Sequence, residues 1–438
     1  MIQRYFEFEK NRTTFRTEII AGVSSFLATM YIIVVNPAIL SQAGMPFSGV
    51  LTATVLVSFF SSLMMGIYAR NPIVVAPGMG LNAFFTYTAV IGMGISWQIA
   101  LGAVFWAGIV FILLSIFNIR TYIVQAIPKQ LRYAISAGIG LFITLIGFIN
   151  AKFIAANPGT VIGIAPMNVT TAIFITGLLL TAILVIKNIR GAVIIGIILT
   201  TILAIPIGRW WGDTSGNGLL VNWQGFAASP DFSLILQLDM AGSLQFAVWP
   251  VIFAFVFTDM FDSLSTFVGV AEAAQLYDEK GEPRHIKQSL TTDAFSTTVS
   301  GLLGSSPGTA YIESAVGIEQ GGRTGITAIV AGLLFLPFMF LSPLLSVIPA
   351  IATAPALILV GVFMMKPIVK INWTQLDDAI PAFLGLVLIP FSYSITQGII
   401  WGFLSWTVIK LMIGKKEEVS LTLLIIDAFA VVSLFLAD

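Results

Sequence analysis

The sequence predicts an all-α polytopic membrane protein in which two hydrophobic segments are broken near their middle. Of its 438 residues, 57% are hydrophobic and only 10% are charged, whereas a soluble domain carries roughly 25% charged residues. Runs of about 20 apolar residues, each long enough to cross the hydrocarbon layer as a helix, recur along the chain. Two runs contain a Pro-Gly pair, at Pro77-Gly78 and Pro307-Gly308. Because hydrocarbon cannot satisfy the backbone groups that Pro and Gly free, this backbone must line a cavity inside the protein.

The apolar runs give fourteen predicted spans, seven on each side of a polar stretch. They lie at 17–40, 48–69, 73–92, 96–117, 131–150, 168–187 and 190–208, and then at 245–268, 289–303, 306–320, 324–343, 346–366, 377–393 and 396–413. A further apolar run at 421–437 is an extra C-terminal helix that either spans the membrane or lies at its surface.

Basic residues indicate how these spans are oriented. Lys and Arg collect in cytoplasmic loops, and the basic residues around Arg12, Lys129, Lys187, Lys366 and Lys415 fall in alternate loops if the N-terminus is cytoplasmic. Seven is an odd number, so the second half is expected to be inverted relative to the first. The two Pro-Gly breaks then occupy the equivalent third and tenth spans, and paired breaks of this kind are typical of a transporter's binding site.

The composition excludes several other classes of function. There is no cysteine, which rules out disulfides and thiolate metal sites, and the single histidine, His285, lies in a polar run. The net charge is zero, so nothing indicates a nucleic-acid partner. The sequence contains no Walker A loop, and no nucleophile–base pair or metal cluster among its buried polar residues, so we predict neither an enzyme nor a cofactor.

Four acids lie inside predicted spans: Asp259 and Asp262 in the eighth, Asp293 in the ninth and Glu313 in the tenth. An ionisable residue at such a depth costs a few kcal/mol and is a functional candidate by default. These three spans carry no Lys or Arg in their interior. The acids must therefore be protonated, share protons or meet a mobile cation, which suits proton-coupled uptake of a ligand rich in N–H donors.

The residues alone do not decide which of the four acids contacts the ligand. Asp259 either contacts ligand or bonds a neighbouring helix, and Asp262, three residues further on, competes with it for the same role. Asp293 lies among Ser and Thr residues, which favours a structural or proton-relay role over ligand contact. Glu313 is expected one turn into the half-helix that follows its Pro-Gly break, where the helix field favours the anion.

The third span supplies an amide and aromatic side chains. Asn82 offers donors and an acceptor, which suits the mixed edge of a planar base, although it could instead satisfy backbone near Pro77. Phe84 and Phe261 could stack on a planar ligand. With 34 phenylalanines in the chain, most of them face lipid or pack in the core.

The chain resembles the adenine/guanine/hypoxanthine (AzgA-like) branch of the nucleobase–cation symporters, which is related to the nucleobase–ascorbate transporters. The resemblance rests on Thr17–Gly22, Tyr31–Pro37, Ala76–Phe84, Thr258–Leu264 and Ser306–Gly317. It implies fourteen helices in two inverted seven-helix repeats, with short strands in the third and tenth spans. It also implies that Asn82, Asp259 and Glu313 bind substrate.

The resemblance implies a core domain of 1–117 and 244–343 and a gate domain of 118–243 and 344–438. The expected function is import of a purine nucleobase (adenine, guanine or hypoxanthine) by proton symport across the cell membrane, with Glu313, Asp259, Asp262 and Asp293 as candidates for proton coupling. The alternative is an anion transporter or channel of a related fourteen-helix fold. The sequence does not decide which purine is preferred, whether sodium replaces the proton, or whether the protein forms a homodimer.

Overall fold

The computed structural model describes residues 2–116, 127–157, 159–211, 225–274, 276–277 and 283–436. Within these ranges, the side chains of 206–211, 261, 265, 268, 272–274, 429 and 433–436 are not described. The predicted domain boundary at 117/118 and the end of the predicted run 421–437 therefore lie outside the described residues, as does the side chain of Phe261.

Helices occupy most of the first half of the chain. They are α1 Ile2–Tyr5, α2 Phe15–Thr29, α3 Ile32–Leu40, α4 Phe47–Met64, α5 Met79–Ala83, α6 Trp97–Ile116, α7 Lys129–Asn150, α8 Val169–Ile186 and α9 Ala192–Trp211. Wider π-type turns extend α4 through Met65–Ala69 and α5 through Phe84–Gly92. An exposed hairpin of β2 Ile154–Asn157 and β3 Val161–Ile164 joins α7 to α8.

The second half has a similar make-up. Its helices are α10 Trp249–Ala274, α11 Ile286–Leu303, α12 Ala315–Glu319, α13 Gly325–Phe335, α14 Ser342–Leu345, α15 Ala350–Met364, α16 Leu376–Phe391, α17 Ile395–Met412 and α18 Leu421–Leu436. Eight helical stretches of the described chain are long and apolar enough to cross a membrane: Phe15–Ala43, Phe47–Ala69, Trp97–Ile116, Lys129–Asn150, Val169–Ile186, Phe246–Ala271, Ala350–Lys370 and Ile395–Met412.

A short extended strand lies at each Pro-Gly break, and the two strands pair with each other. β1 Val75–Pro77 runs antiparallel to β4 Gly308–Ala310, with Ala76 opposite Thr309. Two more bonds extend the pairing, from the Gly78 N–H to the Pro307 carbonyl (2.9 Å) and from the Tyr311 N–H to the Val74 carbonyl (2.9 Å). A side chain at Gly308 would collide with Ser296 of α11, so only glycine lets the strand lie this close to the helix.

The helices pack in two groups. In one, α11 packs against α4 and α6, α13 against α2 and α4, and α10 against α6. In the other, α7 packs against α15 and α16, α16 against α17, and α8 against α9 and α15. The paired strands belong to the first group, since β1 packs on α4 and β4 on α10 and α11.

An ion cluster around the buried Lys410 joins α16, α17 and the turn after α17. The side chain of Lys410 is 1% exposed, and its Nζ lies 2.7 Å from carboxylate oxygens of Asp377, Asp378 and Glu418. The same ammonium lies 4.4 Å from the centroid of the Trp406 ring. Removing Lys410 would leave Asp378 without its cation, whereas Asp377 would keep Lys415, whose Nζ lies 2.6 Å from its Oδ2.

We expect Lys410→Met to destabilise the protein, because three carboxylates lose their common cation. In detergent, the unfolding temperature should fall by about 5 °C or more. Lys416→Met is the matched control, since Lys416 is exposed. Equal unfolding temperatures for the two variants would contradict a stabilising role for the cluster.

Candidate functional site

A cavity of about 500 Å³ lies between the two helix groups, beside the paired strands. From the first group it is lined by Tyr31, Gly78, Met79, Gly80, Asp262, Leu264, Thr266, Gly269, Thr309, Ala310, Tyr311, Ile312 and Glu313. From the second it is lined by Lys129, Arg132, Tyr133, Ser136, Val360, Phe363, Met364, Lys366, Pro367 and Lys370. This volume and the mixture of apolar walls with a few polar groups are typical of a small-molecule site.

The two broken segments contribute differently to this wall. The first supplies Gly78 to Gly80, and the second supplies Thr309 to Glu313. Glu313 lies in a 3₁₀ turn, Ile312–Ser314, that precedes α12. The expectation that Glu313 lies one turn into the half-helix is therefore wrong, because Tyr311 is still extended and the α-helix begins only at Ala315.

Glu313 and Asp262 are the two acids among the described residues that line the cavity. The Tyr31 hydroxyl donates a hydrogen bond to Oε1 of Glu313 (2.7 Å), which holds the carboxylate beside the strands. Asp262 lies within hydrogen-bonding reach of the Thr309 hydroxyl and close enough to Glu313 to interact electrostatically. The site therefore presents two neighbouring carboxyl groups to whatever enters it.

Asp259 and Asp293 lie behind the cavity wall, 1% and 0% exposed. The Thr297 hydroxyl donates to Oδ2 of Asp259, while Oδ1 of Asp259 is buried without a hydrogen-bond partner in the described structure. The two carboxyl groups are neighbours. Two adjoining buried carboxyl groups cannot both ionise readily, so this pair is suited to hold a proton.

Asp293 also anchors the second strand. Its Oδ1 accepts the backbone N–H of Ala310 (3.0 Å), and its Oδ2 accepts the hydroxyl of Ser263. Ser263 is in turn hydrogen-bonded to Thr309 (2.7 Å). Polar side chains therefore run from the buried acids through Ser263 and Thr309 to Asp262 at the cavity.

The other predicted ligand contacts lie away from this lining. Asn82 is fully buried, and its Oδ1 accepts the hydroxyl of Ser306 (2.5 Å). Phe84 is fully buried and packs edge-on against Phe255, with ring centroids 4.7 Å apart. The side chain of Phe261 lies outside the described part of the structure.

Sequence reasoning missed several residues that line the cavity. Tyr31 opens the Tyr31–Pro37 motif, and no local signal in the sequence links it to Glu313, which is 282 positions away. Four cations, Lys129, Arg132, Lys366 and Lys370, lie around the same cavity as the acids. In the sequence these cations indicate only the orientation of the spans, since nothing there shows that they share a cavity.

Comparison with known proteins identifies the kind of molecule that has this site. Residues 16–400 match the model of the Permease family. The chain belongs to this family. The permease is 42% identical to the adenine permease AdeP of Escherichia coli K12 over all of its own length and 97% of the relative's. It is 37% identical to the guanine/hypoxanthine permease PbuO of Bacillus subtilis, covering 98% of its own length and 100% of the relative's.

Solved structures share the fold at low sequence identity. The transmembrane domain of the cyanobacterial bicarbonate transporter BicA superposes with a TM-score of 0.65 at 17% identity, covering 89% of the permease and 98% of that domain. The structure of SLC26A9 also gives a TM-score of 0.65, at 10% identity, covering 90% of the permease and 65% of that chain. The permease is thus a helical, multi-pass membrane transporter rather than an enzyme, and the predicted resemblance to purine permeases is confirmed.

Proposed function

We propose that the permease imports a purine nucleobase (adenine, guanine or hypoxanthine) across the cytoplasmic membrane together with a proton. The observation that carries the proposal is that Asp262 and Glu313 face one cavity beside the paired strands. Carboxyl groups accept hydrogen bonds from the N–H groups at a purine's edge, and the ring of Tyr31 or Tyr311 offers a face for stacking. The activities named for the adenine and guanine/hypoxanthine permeases support this substrate class.

The proposed coupling uses the buried acids. Asp259 and Asp293 hold a proton between them, and the polar chain through Ser263 and Thr309 connects them to Asp262. A carboxyl group can donate a hydrogen bond when protonated and only accepts when ionised. The protonation state of these linked polar groups therefore changes whether Asp262 donates a hydrogen bond to the base or accepts one from it. Asn82 acts indirectly, because it holds Ser306 in place next to the second break.

The proposed architecture has fourteen spans in two inverted repeats. The group of helices that carries the strands corresponds to the core domain, 1–117 and 244–343, and the other group to the gate domain, 118–243 and 344–438. Rocking of one against the other would expose the cavity alternately to each side. The N-terminus is cytoplasmic in this scheme, and the exposed Lys129, Lys366 and Lys370 at the cavity mouth face the same side by the positive-inside rule.

Anion transport is the alternative, since the fold is shared with a bicarbonate transporter. A similarity at 17% identity is evidence for the fold alone. In addition, two carboxyl groups beside the strand pair disfavour the binding of an anion there. Binding of labelled adenine to the purified permease, in competition with guanine, hypoxanthine, xanthine, uracil and bicarbonate, separates the two functions. Displacement by purines supports the proposal, and displacement by bicarbonate alone contradicts it.

Asp262→Asn and Asp259→Asn form a matched pair, because they make the same change three residues apart on α10. We expect Asp262→Asn to weaken purine binding about tenfold or more, since a hydrogen bond to a charged acceptor is lost. Asp259→Asn should leave the Kd within about twofold and should instead reduce proton-driven accumulation. Equilibrium binding and vesicle uptake measure the two effects, and the reverse pattern would assign substrate contact to Asp259.

A further inference from the structure

Acids from one helix group and cations from the other line the cavity, and only the acids have a role in the proposed function. The mouth cluster consists of Lys129, Arg132, Lys366 and Lys370. All four come from the second helix group, Lys129 and Arg132 from α7 and the other two from the 3₁₀ segment Lys366–Lys370, which packs against α7.

The placement of Lys129 and Arg132 is electrostatically unfavourable in the absence of an anion. Both lie in the first turn of α7, which contains no acid, and cations there repel the positive end of the helix dipole. Nε of Arg132 is buried without a hydrogen-bond partner in the described structure. The nearby acids Asp377 and Asp378 are engaged by Lys410.

The remaining members of the mouth cluster border the same opening. Nζ of Lys366 lies 5.6 Å from the centroid of the Phe363 ring, and Nζ of Lys370 lies 6.0 Å from that of Tyr133. Lys366 is also near enough to Glu313 to interact with it electrostatically. The cations and the acids therefore line one cavity, and a single ligand can reach both.

We propose that the mouth cluster binds the phosphate of a purine nucleoside monophosphate, whose base occupies the Asp262–Glu313 end, and that this ligand inhibits transport from the cytoplasmic side. The position of the base rests on the proposed function. Arg and Lys are the residues that recognise phosphate. The acids belong to the first helix group and the cations to the second, so a ligand held by both ties the groups together and favours one arrangement of them.

The test measures displacement of labelled adenine from the purified full chain by adenosine 5′-monophosphate, adenosine and inorganic phosphate. The monophosphate is expected to compete about tenfold better than adenosine, because each charge-assisted bond to phosphate adds affinity. Inorganic phosphate should not displace the base. Equal competition by nucleoside and monophosphate, or displacement by phosphate alone, overturns the proposal.

The double variant Lys129→Gln/Lys370→Gln should lose the preference for the monophosphate while keeping its affinity for adenine, and this retained affinity shows that it is folded. Lys416→Gln is the control for loss of a basic residue elsewhere on the surface. An unchanged preference for the monophosphate in the double variant overturns the proposal.

Two further arms separate the sources of phosphate and the two hypotheses. Uptake by wild type and double variant is compared in phosphatidylcholine vesicles with and without phosphatidylglycerol. A difference that appears only with phosphatidylglycerol, with no effect of the monophosphate, assigns the mouth cluster to lipid headgroups and overturns the proposal. Thermal stabilisation by the monophosphate is measured directly, so that its absence counts against this inference, whereas absence of adenine binding counts against the proposed function.

Discussion

Replacing Glu313 with glutamine is expected to abolish purine binding and uptake while leaving the protein folded. The amide has the same size as the carboxylate but turns an N–H₂ toward the N–H groups of the base, so that donor meets donor. Hydrogen bonds to charged groups contribute about 1.5–3 kcal/mol, and an unsatisfied buried donor costs about 1–3 kcal/mol. Together these losses reduce affinity by roughly a hundredfold or more.

The control for this variant is Glu319→Gln, which makes the same change at an exposed position of the same broken segment. The Kd for labelled adenine and the initial rate of uptake are measured for both variants, with the unfolding temperature as a check on folding. Adenine uptake by Glu313→Gln at the rate of the Glu319→Gln control would remove Glu313 from the site.

Asp293→Ala is expected to impair both stability and binding, because Asp293 fastens β4 to α11. The substitution leaves the buried N–H of Ala310 without its acceptor and leaves Ser263 with its bond to Thr309 alone. Each unsatisfied buried group costs about 1–3 kcal/mol. The strand carries Thr309 in the cavity wall, so we expect loss of purine binding together with a lower unfolding temperature.

Asp293→Asn separates the strand anchor from the proton role, since its amide oxygen still accepts the N–H of Ala310. We expect Asn to restore the unfolding temperature and binding but not proton-driven accumulation. Thr291→Ala is the control on the same helix, because in the described part of the structure the Thr291 hydroxyl donates to the Lys287 carbonyl of its own helix. Full accumulation by Asp293→Asn would confine Asp293 to the structural role.

Some of the site can be predicted from the sequence because its signals are local. A Pro-Gly pair inside an apolar run predicts an interrupted helix. Paired strands are present beside both pairs, Pro77-Gly78 and Pro307-Gly308. Acids in apolar spans are equally conspicuous, and Asp262 and Glu313 do line the cavity. Both signals rest on the cost of polar groups in hydrocarbon.

Other parts depend on tertiary contacts that the sequence does not encode locally. Asn82 and Phe84 lie near the first break in sequence, yet α5 and its π-type extension place their side chains against Ser306 and Phe255. The helical period could not choose between Asp259 and Asp262, because residues three apart share a face. The mouth cluster gathers cations from segments more than 230 positions apart, and only the packing of α7 on the 3₁₀ segment brings them together.

Accumulation of labelled adenine in vesicles under an imposed pH gradient is the measurement that tests proton-coupled purine transport most directly. The permease is reconstituted with an alkaline lumen, and sodium is replaced by choline in a parallel sample. We predict accumulation above the external concentration that is lost with a protonophore and is unaffected by removing sodium. Uptake that stops at equal concentrations whatever the pH gradient, or that requires sodium, would contradict proton symport.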